Sequence, residues 1–161
     1  MMATADSSSC YVRKWSLVWD TRLIPKIKLF IWKICFKALP TMSNLRSRGV
    51  KLEGGCPLCD WEEEDIMHIL SFCLFSRLVW AISGIEWNLV VPSFADAEEW
   101  LREIYQEVDK SVFELVAAIS WSLGCNRNLR IFEGQILQAV EVVEMAKRQV
   151  RRVGSFSIDP G

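Results

Sequence analysis

Apolar and polar positions follow a helical period over most of the chain, and proline and glycine punctuate the runs. After Pro25, residues Ile27, Phe30, Ile31, Ile34, Cys35 and Ala38 recur on one helix face, while Lys26, Lys33 and Lys37 face the other way. Pro25 suits the first turn of this helix, and Pro40 is expected to end it. Thr41 can cap a short second helix that Gly49 closes after Arg46 and Arg48. A helix over 74–82 offers Leu78, Val79, Ile82 and the Trp80 ring for packing. Residues 84–93, with Pro92, read as a loop with room for a short extended piece at 87–91. Three more helices are expected. One spans 95–108 with Trp100, Leu101, Ile104 and Val108 on one side; another spans 111–132; the last spans 135–150. The near-continuous apolar run from Val112 to Leu123 places the 111–132 helix at the centre of the packing. The fold class expected is therefore mainly α, a helical bundle. There is no internal repeat.

Composition changes this picture in two ways. With 161 residues, one domain can bury a full core, but 51% apolar residues and eight tryptophans imply either a well-filled core or a sticky face. Charge is also segregated along the chain. Residues 1–51 carry 10 basic and 2 acidic groups, while residues 52–109 carry 2 basic and 13 acidic groups. A basic N-terminal third is the footprint of phosphate contact. The two halves can equally neutralise each other within one fold, and the lysine stripe can be an ordinary wet face. No stretch approaches a membrane span, since residues 24–39 are interrupted by Lys26, Lys28, Lys33 and Lys37. Residues 1–9 lack the basic and apolar regions of a secretion signal, so an intracellular setting, nucleus or cytoplasm, is expected.

The candidate chemistry is concentrated in one 18-residue window, Cys56-Pro57-Leu58-Cys59, then His68, then Cys73. His68 is the only histidine in the chain. Two thiolates two residues apart grip one face of a tetrahedral metal, and an imidazole with a third thiolate closes the other. Such soft and borderline donors select zinc over magnesium or calcium. Four protein ligands leave no open position for an activated water, so the expected cofactor is one structural Zn2+. The competing readings are buried cysteines with a core histidine, or a Cys56–Cys59 disulfide. The acidic run Glu62-Glu63-Glu64-Asp65 reads as a solvated loop and helix start. Cys10, Cys35 and Cys125 are left over as small core or surface residues. The five-residue step from His68 to Cys73 rotates about 140° on an α-helix, so both cannot face one metal from a continuous helix. A short helix from near Glu64 is expected to break by Phe72, letting Cys73 turn back.

The words around these ligands carry a resemblance. They are Trp15 and Trp19, the run Ile24-Pro25-Lys26-Ile27-Lys28-Leu29-Phe30-Ile31-Trp32-Lys33, Ala38-Leu39-Pro40-Thr41, Asn44-Leu45 and Arg48-Gly49. After the Cys56–Cys59 pair come Glu64, His68-Ile69-Leu70, Phe72-Cys73 and Val79-Trp80. Together they resemble the reverse-transcriptase zinc-binding domain of plant LINE-type (non-LTR) retrotransposon polyproteins. Trp121, Asn126-Arg127-Asn128 and Ile131-Phe132-Glu133-Gly134 are similar to the helical tail after that module. The resemblance implies a zinc-binding domain over 11–84 and a helical tail over 85–152 packed on it, with disordered ends at 1–10 and 153–161. It also implies RNA contact at Arg127 and Asn128 by position in the family pattern, while the lysines Lys26, Lys28, Lys33 and Lys37, on charge, and Arg46 and Arg48, beside the zinc loop, are further nucleic-acid candidates. For Arg127 and Asn128, capping and tertiary hydrogen bonds are the competing explanation. The last six residues resemble the start of an RNase H strand, yet one aspartate there builds no metal site.

Catalysis is excluded on inventory. With His68 committed to zinc, no Ser-His-Asp or Cys-His arrangement has a base, and Gly54-Gly55 is not part of a phosphate-binding loop. No Tyr-x-Asp-Asp motif supplies polymerase metal ligands. The chain is expected to be a truncated or domesticated non-enzyme. Two functions stand: a zinc-organised module assisting RNA binding, or a structural, protein-interaction fragment without nucleic-acid binding. Expected partners are RNA or DNA, and polymerase or RNase H domains on other chains. No membrane and no small-molecule substrate is expected.

Overall fold

The computed structural model describes residues 18–86 and 96–156, with side chains as far as Arg151. The described residues form helices and no strand. Helix α1 spans Pro25–Cys35, with Ile24 extended before it and Pro25 in its first turn, and buries Ile27, Ile31 and Ile34. It ends five residues before Pro40. Lys37 is left-handed (φ 53°), Ala38 N–H donates to the Lys33 carbonyl, and Lys37 N–H donates to the Ile34 carbonyl. That is a Schellman turn with lysine where glycine is usual, so the stop is made by local hydrogen bonds and Pro40 plays no part in it.

Helix α2, Met42–Ser47, starts at Thr41, whose hydroxyl accepts from Asn44 N–H at 3.1 Å. Gly49 (φ 88°) closes it, with Val50 N–H bonded back to the Leu45 carbonyl. After the loop that carries the cysteine pair, His68–Phe72 forms a π-helical turn, and α3, Leu74–Ser83, follows. Helix α4 spans Ala97–Glu107, capped by Asp96 and burying Trp100, Leu101 and Ile104. Helix α5 spans Lys110–Glu133 and is buried on nearly every side, as its apolar run requires.

Helix α6 spans Ala139–Phe156, starting later and ending later than the expected 135–150. Gly134 ends α5, and the turn that follows is fixed by Leu137 N–H donating to Asn126 Oδ1 at 2.8 Å. Glu141 then reaches back to Gln138 N–H at 2.7 Å, half of a capping box, which delays the helix start. The helix also runs through 153–156, where a disordered end was expected. The expectations for residues 1–17, 87–95 and 157–161 lie outside the described residues.

Helix α5 is the axis of the core. It packs against α6, α1, α4 and the π-turn, and α3 packs on α6. One cluster joins Ile27, Ile31 and Ile34 to Leu70, Val79 and Trp80, then to Val116, Ile119 and Leu123, then to Val142 and Ala146. A Cβ on Gly124 would stand 2.7 Å from the Phe30 ring, so this glycine lets α1 lie close against α5. Trp80 meets Trp100 edge-on at 6.1 Å. None of the described helices is long and apolar enough to cross a membrane.

Candidate metal centre

The cysteine pair sits on a loop that its own backbone closes. Cys56 N–H donates to the Trp61 carbonyl at 2.7 Å, and Asp60 N–H donates to the Cys56 carbonyl at 2.9 Å. Asp60 takes the left-handed conformation (φ 64°) that this tight return requires. Leu58 N–H points at Cys56 Sγ from 3.4 Å, a donor that favours a thiolate there. Gly55 has no substitute in this turn, because a Cβ would lie 1.8 Å from the Trp61 carbonyl oxygen. Arg46 clamps the loop from outside. Its guanidinium donates to the carbonyls of Leu52 and Glu62, both at 3.4 Å, and to that of Gly54.

The His68 and Cys73 half solves the rotation problem in a way the sequence reading missed. The helix does break at Cys73, but through a π-turn. Cys73 N–H bonds to the His68 carbonyl five residues back, at 2.8 Å, which returns positions five apart to one side. Asp65 caps the start, accepting His68 N–H at 2.7 Å. The carbonyls orphaned where the turn ends are taken by side chains of α3. Trp80 Nε1 donates to Leu70 at 2.6 Å, and the Ser76 hydroxyl donates to Ile69.

These two halves bring four donor atoms within 4.8 Å of one another, from Cys56, Cys59, His68 and Cys73. Cys56 and Cys73 sulfurs are 3.9 Å apart, and Cys59 Sγ lies 3.2 Å from His68 Nε2. Around a tetrahedral zinc, sulfur pairs stand about 3.8 Å apart and sulfur–nitrogen pairs about 3.6 Å. The donor set and spacing therefore fit the ion. All three thiols are free, so the disulfide reading fails. Without a cation the sulfurs compete for protons. The Cys73 sulfur beside it and burial push the Cys56 thiol up to about 12, while the hydrogen bond from Cys56 lowers Cys73.

Residues 3–80 match the family model for zinc-binding in reverse transcriptase. No curated protein and no solved structure matches the chain. The match and the Cys56, Cys59, His68, Cys73 cluster together support a zinc-binding module. The module's core does not stop at residue 80, since α5 and α6 complete it.

The link between the matched segment and α5 is an ion pair that local sequence patterns did not reveal. Glu64, expected in a solvated run, is fully buried. Arg127 grips it with both edges, Nε to Oε2 at 3.0 Å and Nη2 to Oε1 at 2.6 Å, and also donates to the Pro40 carbonyl at 3.2 Å. Glu64 in turn accepts Met42 N–H at 3.1 Å, and its own carbonyl accepts Ser43 N–H at 3.0 Å. Arg127 thus makes the tertiary hydrogen bonds that were one of its two readings. It is buried and bonded to Glu64, Asn128 and Pro40. Arg46 is half-buried and holds the loop.

The remaining basic candidates lie on or after α1 and α2. Lys26 Nζ stands 4.6 Å from the centre of the Trp121 ring, while Lys28 covers Trp19 at 5.2 Å and bonds its carbonyl. Lys33 is half-buried, and Lys37 and Arg48 are exposed. The structure brings the four metal donors together.

Proposed function

We propose that this chain is a non-catalytic zinc module, derived from a plant LINE-type retrotransposon polyprotein, that assists RNA binding. Cys56, Cys59, His68 and Cys73 would hold one Zn2+, whose bonds cross-link the loop to the π-turn. The cluster of four donors within the matched segment carries this reading. Three thiolates and an imidazole fill the coordination sphere, so the ion's contribution is structural. Lys26, Lys28, Lys33, Lys37 and Arg48, all on or just after α1 and α2, would contact phosphate. Arg46 supports them indirectly by holding the loop.

A second reading, a protein-interaction fragment, is favoured by the exposed stripe Leu74, Leu78 and Ile82 on α3. Anisotropy of a labelled single-stranded RNA, titrated at several salt concentrations, separates the two. Phosphate binding gives a log–log slope of about −0.7 per contact, made shallower by replacing Lys26 and Lys37 with alanine. Absent RNA affinity at low salt, with salt-insensitive self-association of the chain, would select the second reading.

A further inference from the structure

Beside the metal cluster lies a cleft of about 470 Å³, lined by Cys59, Trp61, Glu63, Asp65, His68, Phe72, Leu74 and Arg77. We infer that this cleft is a docking site for a basic peptide segment, which inserts an arginine side chain between Trp61 and Phe72. Three observations point there. First, its aromatic walls are uncovered: Trp61 is 61% exposed and Phe72 41%. Among the described residues neither ring has an aromatic or cationic partner, whereas Lys28 and Lys26 cover Trp19 and Trp121. Guanidinium groups stack on such faces and fork onto carboxylates.

Second, the charge around the cleft is complementary to a cation. Residues 52–76 contain six carboxylates and no lysine or arginine. Glu64 is neutralised by Arg127, but Asp60, Glu62, Glu63 and Asp65 are exposed. Glu63 and Asp65 line the cleft against the single cation Arg77. A divalent ion held by three thiolates adds no positive charge to this balance. The same field disfavours a nucleic-acid backbone, so the cleft and the α1–α2 cations suit different partners.

Third, the platform is held in place. The Trp61 carbonyl closes the cysteine loop, and Phe72 ends the π-turn, so both rings stand on backbone fixed by hydrogen bonds. The inference extends the proposed function and does not depend on RNA binding.

The test uses the zinc-loaded chain and a short acetylated, fluorophore-labelled peptide alternating arginine and glycine; anisotropy reads its affinity for every variant, and NMR follows the Trp61 indole N–H wherever Trp61 is present. The peptide should shift that signal. Trp61→Ala should weaken binding by about tenfold, and Glu63→Gln by about threefold, with zinc content unchanged. Arg77→Ala should tighten it, because the one competing cation is gone. A uridine oligonucleotide serves as the opposite probe. If the oligonucleotide shifts Trp61 and Arg77→Ala weakens it, while the peptide leaves Trp61 unmoved, the inference is overturned. It is also overturned if Trp61 shifts on simple dilution and the peptide has no effect, since a second copy of the chain then occupies the cleft. Should Trp61→Ala lose zinc, the opposite signs for Glu63→Gln and Arg77→Ala still decide the matter.

Discussion

Replacing Arg127 with methionine keeps most of the aliphatic length inside the core and removes the guanidinium. The fully buried Glu64 carboxylate then loses two charge-assisted bonds, at 3.0 and 2.6 Å, and keeps the Met42 N–H. Breaking one side of a buried pair costs about 3–5 kcal/mol, because an uncompensated charge stays in the interior. Domains of this kind have roughly 5–15 kcal/mol to lose, so the variant should be marginal at physiological temperature. Adding Glu64→Gln to Arg127→Met removes the stranded charge and should recover about half of the loss. Zinc affinity should fall about 10- to 100-fold in the single variant, since Glu64 ties the residues before His68 to α2 and α5. Urea unfolding of the zinc-loaded proteins, with chelator competition for the metal, measures both. A loss under about 1 kcal/mol with unchanged zinc affinity would refute the claim that α5 anchors the metal loop.

Other consequences follow from single contacts. Gly55→Ala places a methyl 1.8 Å from the Trp61 carbonyl, so the cysteine loop must open, and purified protein should carry far less zinc than the parent. Trp80→Phe strips the donor from the Leu70 carbonyl and leaves a void beside Trp100, a loss of about 3 kcal/mol in urea unfolding. In the metal-free chain the Cys56 pKa is raised from 9.0 to about 12, so its contribution to stability is complete below pH 9 and lost as pH climbs towards 12. Cys73 is lowered and acts in the opposite sense, its contribution being lost as pH falls. Zinc must expel the thiol protons, so chelator competition should show affinity dropping roughly 100- to 1000-fold per pH unit on acidification, for two to three protons released.

What could be read from the sequence was what is local. Pro25, Thr41 and Gly49 punctuate helices where expected because first-turn proline, hydroxyl caps and left-handed glycine act within a few residues. The apolar run after Val112 identified the central helix, since a helix apolar on all sides has nowhere else to go. The four metal donors were legible because ligand spacing is itself a local geometric constraint. The stop at Lys37 was missed, as lysine is a rare left-handed residue and Pro40 offered a more obvious signal. The π-turn was missed because periodicity arguments assume one helix type. Glu64 and Arg127 were beyond reach. They lie 63 positions apart, and nothing in Glu62-Glu63-Glu64-Asp65 marks which carboxylate turns inward. The bonds of Arg46 to three carbonyls of the loop were beyond reach for the same reason, since they join separate stretches of chain.

Zinc content per chain tests the central claim most directly, on the 161-residue chain purified without added metal, with helicity followed as a chelator is titrated. The structure predicts one zinc per chain, held by Cys56, Cys59, His68 and Cys73, and loss of helicity as it is removed. Protein without zinc, whose helicity ignores the chelator, would contradict it.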